Sequence, residues 1–244
     1  MSLLSNEKHF LLGVFGPNCS SGMSVTQIPE RWQNSWANNV TLANMLEDAG
    51  IDFILPVARW IGHGGPTNFQ GNSLEAYTWA AGLMALTKRI RLVVTSHTTV
   101  NHPVAAAKQL ATIDQISPGR VALNIVAGWN KPEYDALGLD LPATHEERYG
   151  FAEEWCQIVR ALWTRTEPFD WDGKFWQLKG VMGQPRPAKP PTVLNAAGSG
   201  EGQDFAVRNA DILFTIVFDP LKAKPDIAAL KAKAVENGRE VNVL

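Results

Sequence analysis

Six times along this chain a short apolar run, rich in β-branched residues, gives way to a stretch with apolar residues at helical spacing. Strands separated by helices in this way are parallel and are joined by right-handed crossovers. The strand-like runs are residues 10–15, 53–57, 90–94, 120–126, 192–196 and 212–218, and residues 241–244 have the character of a seventh beginning. The first helix spans 34–48, with Gly50 in the position that ends a helix. Ser73 is placed to cap the second, which carries Leu74, Tyr77, Ala81 and Met84 on one face. Pro103 opens the third, with Ala106, Leu110 and Ile113 turned inward, and 117–119 end it. A long helix over 145–163 presents Phe151, Trp155, Ile158, Val159 and Leu162 as one stripe. Residues 198–202 open into the next, and the last runs over 226–236 to a stop at Asn237-Gly238. Residues 169–187 interrupt the alternation. There Asp172-Gly173 suggests a hairpin turn, and Pro185, Pro187, Pro190 and Pro191 stiffen the return.

The fourth strand is the most informative. Val121, Leu123, Ile125 and Val126 form the nearly continuous run of a strand covered on both faces. Asn124 breaks it, and a carboxamide buried there must find hydrogen-bond partners or cost about a few kcal/mol. Gly128 and Trp129 follow, then Pro132-Glu133. A polar residue near the carboxyl end of a parallel strand, followed by a glycine-aromatic loop, is where α/β proteins hold ligands.

Two architectures fit the alternation, a doubly wound open sheet and an eight-stranded (β/α)8 TIM barrel. The first strand lacks the Gly-x-Gly-x-x-Gly phosphate loop, and polar residues gather at the carboxyl ends of several strands. Both points favour the barrel, as one domain over residues 1–244 with 169–187 inserted. The pattern stops after about six βα units, so the expectation is a C-terminally truncated, incomplete barrel with two strand edges unpaired.

Composition narrows the partners. A chain of 244 residues suffices for one large core, and a net charge of −2 favours neither nucleic acid nor an anionic membrane. No run of 18 apolar residues exists, so no membrane span is expected. Residues 1–10 contain Glu7, Lys8 and His9 and do not resemble a signal peptide. Cys19 and Cys156 have no paired spacing, as expected of free thiols in a reducing cytoplasm. His63, His97, His102 and His145 lack ligand spacing, so no metal is expected. Of the nine tryptophans, Trp60 and Trp129 fall beside strand ends and suit a planar ligand.

Residues 106–116, Gly119-Arg120 and 124–129 closely resemble the bacterial luciferase-like, reduced-flavin-dependent monooxygenases. Within that family the chain looks most like the pyrimidine (uracil) monooxygenase branch and its alkanesulfonate, dimethylsulfone and nitrilotriacetate relatives. The resemblance implies a barrel that uses dioxygen and reduced FMN, the flavin supplied by a separate NAD(P)H-dependent reductase. It implies FMN contacts at Ala58, Arg59, Asn124, Glu133, Arg148, Tyr149 and Ser199. Thr95 and Asn124 match the residues around the oxygen, and Trp129 and Phe214 match an aromatic pair near the substrate. The family's habit is a homo-oligomer. Thr95 tilts the resemblance toward the pyrimidine branch over the sulfone branch, which carries a small apolar residue there. Trp60, His63, His97 and His102 depart from the pyrimidine branch.

Side-chain chemistry is compatible with each role, and each has a plainer alternative. Thr95 and Asn124 end adjacent strands, so a hydroxyl and a carboxamide converge; alternatively they only bond backbone. Arg148 offers a forked donor to a phosphate with Tyr149 beside it; alternatively it is a solvated helix residue next to Glu146 and Glu147. Gly198-Ser199-Gly200 offers N–H groups and a hydroxyl to an anion. Glu133 is better suited to bonding the ribityl chain or fixing its loop than to acting as an acid. His97, two residues past Thr95, is the candidate general base or substrate-orienting group. The expected activity is oxygenation of a small pyrimidine- or amide-like or organosulfur substrate, with cleavage of a C–N or C–S bond. The rivals are a deazaflavin-dependent hydride-transfer oxidoreductase of the same superfamily and an inactive flavin-binding fragment.

Overall fold

A computed structural model describes residues 10–243; the readings on residues 1–9 and on Leu244 fall outside them. In chain order the elements are β1 (Gly13–Phe15), α1 (Trp36–Asp48), β2 (Phe53–Leu55), α2 (Ala76–Leu86) and β3 (Arg91–His97). Next come α3 (Pro103–Ile116), β4 (Val121–Val126), α4 (Lys131–Leu137), α5 (His145–Thr164), β5 (Phe169–Asp172) and β6 (Gln177–Val181). The last are β7 (Thr192–Ala196), α6 (Gly200–Asn209), β8 (Ile212–Phe214), α7 (Pro220–Glu236) and β9 (Asn242–Val243).

Seven strands form one curled, all-parallel sheet in the order β1-β2-β3-β4-β7-β8-β9. This is the wall of a barrel, with β1 and β9 as its edges among the described residues. The β5–β6 pair is a separate antiparallel hairpin, as the interrupted alternation predicts. Successive side chains of a strand face opposite sides, and two apolar layers result. Leu92, Val94, Leu123, Ile125 and Val193 face outward onto the helices, against Leu83, Leu110, Trp155 and Ile158. Phe53, Leu55, Val93, Ala122, Leu194 and Ile212 fill the inner face. The ring of Phe53 lies across β1, where a Cβ on Gly13 would meet it at 2.2 Å.

Several boundaries differ from the sequence reading. The first strand is confined to three residues, and β2 stops before Pro56, which cannot donate to a ladder. By contrast β3 runs on to His97, which brings Thr95 and His97 into regular pairing with β4. The sixth strand ends at Phe214 instead of 218. Glu75, not Ser73, caps α2: its carboxylate accepts from the N–H groups of Tyr77 and Thr78, while Ser73 forms a bridge to Cys19. The short helix α4 had no expectation, because seven residues are too few for a period to register. The last helix starts at Pro220 under an Asp219 cap, six residues before 226, and tolerates Pro225 inside it. The hairpin turn is the four-residue segment from Gly173 to Trp176, with Asp172 still in the strand.

The amino end of the sheet is tied by buried charge. Arg120 donates to the carbonyls of Met84, Thr87 and Ile90 and to the Thr87 and Ser117 hydroxyls. Glu47 gathers the N–H groups of Lys88, Arg89 and Ile90. At the carboxyl end Asn18 laces the first two loops together. Its Oδ1 accepts from Val57 N at 2.9 Å, and its Nδ2 donates to Val57 O at 2.7 Å and Leu74 O at 2.9 Å.

Candidate active site

Thr95 and Asn124 are register partners on β3 and β4 and face the barrel interior. Thr95 Oγ1 donates to Pro56 O at 2.6 Å, and Asn124 Nδ2 donates to Thr95 Oγ1 at 3.3 Å. Threonine therefore does bond backbone, but among the described residues asparagine bonds only the threonine, and its buried Oδ1 has no partner there. An acceptor so abandoned costs about 1–3 kcal/mol. Two residues on, His97 lies on the same face, 4% exposed, with a buried Nδ1 that has no partner among the described residues. Burial pulls its pKa down to about 4, with Glu133 opposing and Arg59 reinforcing the shift. The imidazole is thus neutral at pH 7, and a group of such low basicity suits hydrogen bonding better than proton abstraction.

A buried ion pair stands beside it. Arg59 Nη1 lies 3.1 Å from Glu133 Oε2, with the two side chains 8% and 1% exposed. Glu133 Oε1 accepts from Trp60 N at 2.8 Å, so this carboxylate fixes the loop after β2 to α4. Arg59 Nε donates to Gln70 Oε1 at 3.2 Å, and its guanidinium sits 5.4 Å from the centre of the Trp129 ring. Trp129 stacks on His63 at 6.4 Å, and His63 on Phe69 at 5.6 Å. Ala58 is half-buried at the start of this loop. Tyr134 stacks on His97 at 6.3 Å and accepts from Thr99 Oγ1 at 2.8 Å. Gly128, at φ +103, passes so close that a Cβ there would fall 2.1 Å from the Tyr134 hydroxyl oxygen.

The second cluster lies where β7 runs into α6. Ser199 caps α6, accepting from Gly202 N at 3.2 Å. The Tyr149 hydroxyl lies against Gly202, and burial raises its pKa against the opposing pull of Ser199 and Arg148. Gly198 and Gly200 border open space: a Cβ on either would meet nothing within 4 Å. Arg148 is only 9% exposed, which removes the solvated alternative. Its Nη1 is engaged with Pro142 O at 2.7 Å and Ala143 O at 3.2 Å. Phe214 packs edge-on against Phe15 at 5.4 Å, so the two aromatic candidates Trp129 and Phe214 belong to separate ring contacts.

Gln70 and Tyr134 are participants that sequence reasoning missed. Tyr134 directly follows Pro132-Glu133 but lacked a periodic signal, and Gln70 carried none. Among the described residues no group of three or more His, Cys, Asp or Glu could hold a metal. Both cysteines are buried and free, and burial raises both thiol pKa values. No described helix is long and apolar enough to cross a membrane. The grooves flanking the hairpin, about 860 and 720 Å³, contain none of the candidate residues.

A parallel barrel wall with buried polar side chains at the carboxyl ends of its strands has the architecture in which α/β barrels hold ligands. The chain belongs to the luciferase-like monooxygenase family, whose sequence profile matches residues 11–244. It is 36% identical over 234 residues to the pyrimidine monooxygenase RutA of Methylobacterium radiotolerans, covering 94% of this chain and 61% of that protein. The RutA of Yersinia enterocolitica is 34% identical over 236 residues, covering 95% and 64%. The chain thus spans less than two thirds of the length of these relatives. Among solved structures it resembles the EDTA monooxygenase EmoA from Chelativorans sp. BNC1, with a TM-score of 0.86 at 23% identity, covering 97% of this chain and 64% of that one. That likeness concerns the fold.

Proposed function

We propose that this protein is a two-component flavin-dependent monooxygenase that uses reduced FMN and dioxygen to oxygenate a small organic substrate. The observation that carries the reading is the Thr95–Asn124 pair on the inner face of the barrel wall, where Asn124 Oδ1 is buried with no partner among the described residues. The residues suit the flavin on two counts. The orphaned acceptor Asn124 Oδ1 matches a ligand N–H, and the open turn at Gly198-Ser199-Gly200, beside Tyr149, has room for a phosphate. Reduced FMN supplies the electrons that activate dioxygen. Ala58, Arg59, Asn124 and Glu133 would hold its ring and ribityl portions, and Arg148, Tyr149 and Ser199 its phosphate. Thr95 and Asn124 orient the reacting oxygen. Neutral His97 orients the substrate, and Trp129 and Phe214 wall its pocket and exclude water.

The substrate class is pyrimidine- or amide-like or organosulfur, and the product step breaks a C–N or C–S bond. Support comes from similarity to proteins named pyrimidine monooxygenase, together with a hydroxyl at residue 95. In the same reading the chain is one barrel domain with an inserted hairpin and works in the cytoplasm. It associates with copies of itself and draws reduced FMN from an NAD(P)H-dependent reductase. Anaerobic titration with reduced FMN, oxidised FMN and a reduced deazaflavin tests this. Preference for reduced FMN, followed by oxygen consumption tied to product from uracil or an alkanesulfonate, is expected. Preference for the deazaflavin overturns it.

A further inference from the structure

Among the described residues three that are not glycine hold left-handed backbone: Ser21 at φ 66, Asn68 at φ 38 and Gln70 at φ 57. All three lie in the loops after β1 and β2, on the carboxyl side of the sheet. A side chain in that region is strained, and the strain persists only where the surroundings over-determine it. Gln70 is 2% exposed and is the one whose side chain joins the buried polar network. Its Oε1 accepts from Arg59 Nε at 3.2 Å, and its Nε2 lies 3.5 Å from both Gly22 O and Met23 Sδ. The chain of contacts continues through Arg59 to Glu133 and Trp60 N. One amide thereby links the loops after β1, β2 and β4.

The placement of Gln70 is itself held by backbone. His63 N donates to Phe69 O at 3.0 Å, closing the neck of the loop. Gly62 and Gly71 cross so closely that a Cβ on Gly62 would fall 2.4 Å from Gly71 Cα. Arginine has several soft torsions, so one ion pair at Nη1 leaves the plane of the guanidinium free to turn. A second bond at Nε removes that freedom and leaves Nη2 as the nitrogen for a ligand.

We propose that Gln70 is the positioning residue of this site, locking the Arg59 guanidinium between Glu133 and Trp129 so that it meets the flavin in one orientation. The inference rests on the flavin reading above. It accounts for a strained, buried amide whose side chain is bonded to Arg59.

The test measures FMN affinity and thermal midpoint together in the full-length protein and in Gln70→Gly, Gln70→Leu, Arg59→Lys and Gln70→Leu/Arg59→Lys. Glycine adopts φ 57 freely, so Gln70→Gly relieves the backbone strain and offsets part of the thermal stability lost with the buried amide. It nonetheless weakens FMN binding by about tenfold, the effect of losing one bond to a charged group. Gln70→Leu weakens binding equally. Lysine reaches Glu133 but has no Nε–H of the guanidinium kind, so Gln70→Leu adds nothing further in the Arg59→Lys background. Unchanged FMN affinity in both Gln70 variants overturns the proposal. So does an equal loss from Gln70→Leu whether residue 59 is arginine or lysine, which marks a purely structural role. If the unaltered protein binds no FMN at all, the flavin reading fails and the proposal with it, an outcome distinct from the other two.

Discussion

Asn124 reaches across from β4 to donate to Thr95 Oγ1 on β3, and its own Oδ1 is buried without a partner among the described residues. The bond fixes the carboxamide plane, so the free oxygen points in one direction. An unpaired acceptor at the end of a strand, held rigidly, is a stability cost, and in the function proposed above a flavin N–H satisfies it.

Replacing Asn124 with leucine separates the two properties. Removing the unpaired amide leaves the ligand-free protein within about 1 kcal/mol of its original stability. FMN affinity falls at the same time. Parallel urea unfolding and flavin titration read both, and a variant that is strongly destabilised while binding FMN normally contradicts the assignment.

Glu133→Gln breaks a buried pair from one side. Arg59 is left largely buried with its charge uncompensated, and a loss of about 3 kcal/mol is expected. Adding Arg59→Met to that variant recovers a good part of the loss, because the second change removes the stranded charge. A double-mutant cycle in urea measures the coupling.

Burial holds the pKa of His97 at about 4 in the folded chain, below its ordinary value. Between about pH 6.5 and 4 the unfolded chain therefore binds more protons than the folded one. The contribution to stability is complete above the unfolded pKa and is lost as pH falls toward the folded one. It amounts to something on the order of 3 kcal/mol. Glu133, Arg59 and Tyr134 are the titratable groups facing His97. Unfolding free energies at pH 7 and 5 are expected to converge when His97 is replaced by leucine, and an unchanged pH slope in that variant refutes the assignment.

Gly128→Ala places a Cβ 2.1 Å from the Tyr134 hydroxyl oxygen at a backbone φ of +103. Strain and collision act together, so a destabilisation above about 2 kcal/mol is expected. Pairing it with Tyr134→Phe removes the clashing oxygen and recovers part of the thermal midpoint, leaving the cost of the dihedral.

The helices and strands that read well from sequence are those whose period is long enough to register. β7 matches residue for residue, and α3 runs from Pro103 with Leu110 and Ile113 buried as expected. Short elements and caps read poorly, because rivals compete over one or two residues. Ser73 and Glu75 are both able to cap α2; Glu75 does so, and Ser73 bridges Cys19 instead. Asn124 stood out as a polar residue within an apolar strand, whereas Thr95 was singled out by the resemblance to the luciferase-like monooxygenases, and the structure makes the two register partners. Gln70 was not legible, because its role depends on a left-handed backbone that no neighbouring residue announces.

What the sequence determined by itself is the parallel βα order and the face each strand presents, since both follow from local periodicity and the handedness of the chain. Tertiary structure alone decided which polar groups meet. The Arg59–Glu133 pair joins residues 74 positions apart, and the Gln70 amide closes on a loop 48 positions earlier. Such contacts depend on the curl of the sheet and the crossing of Gly62 over Gly71, which are sums over the whole packed molecule and not properties of any stretch within it.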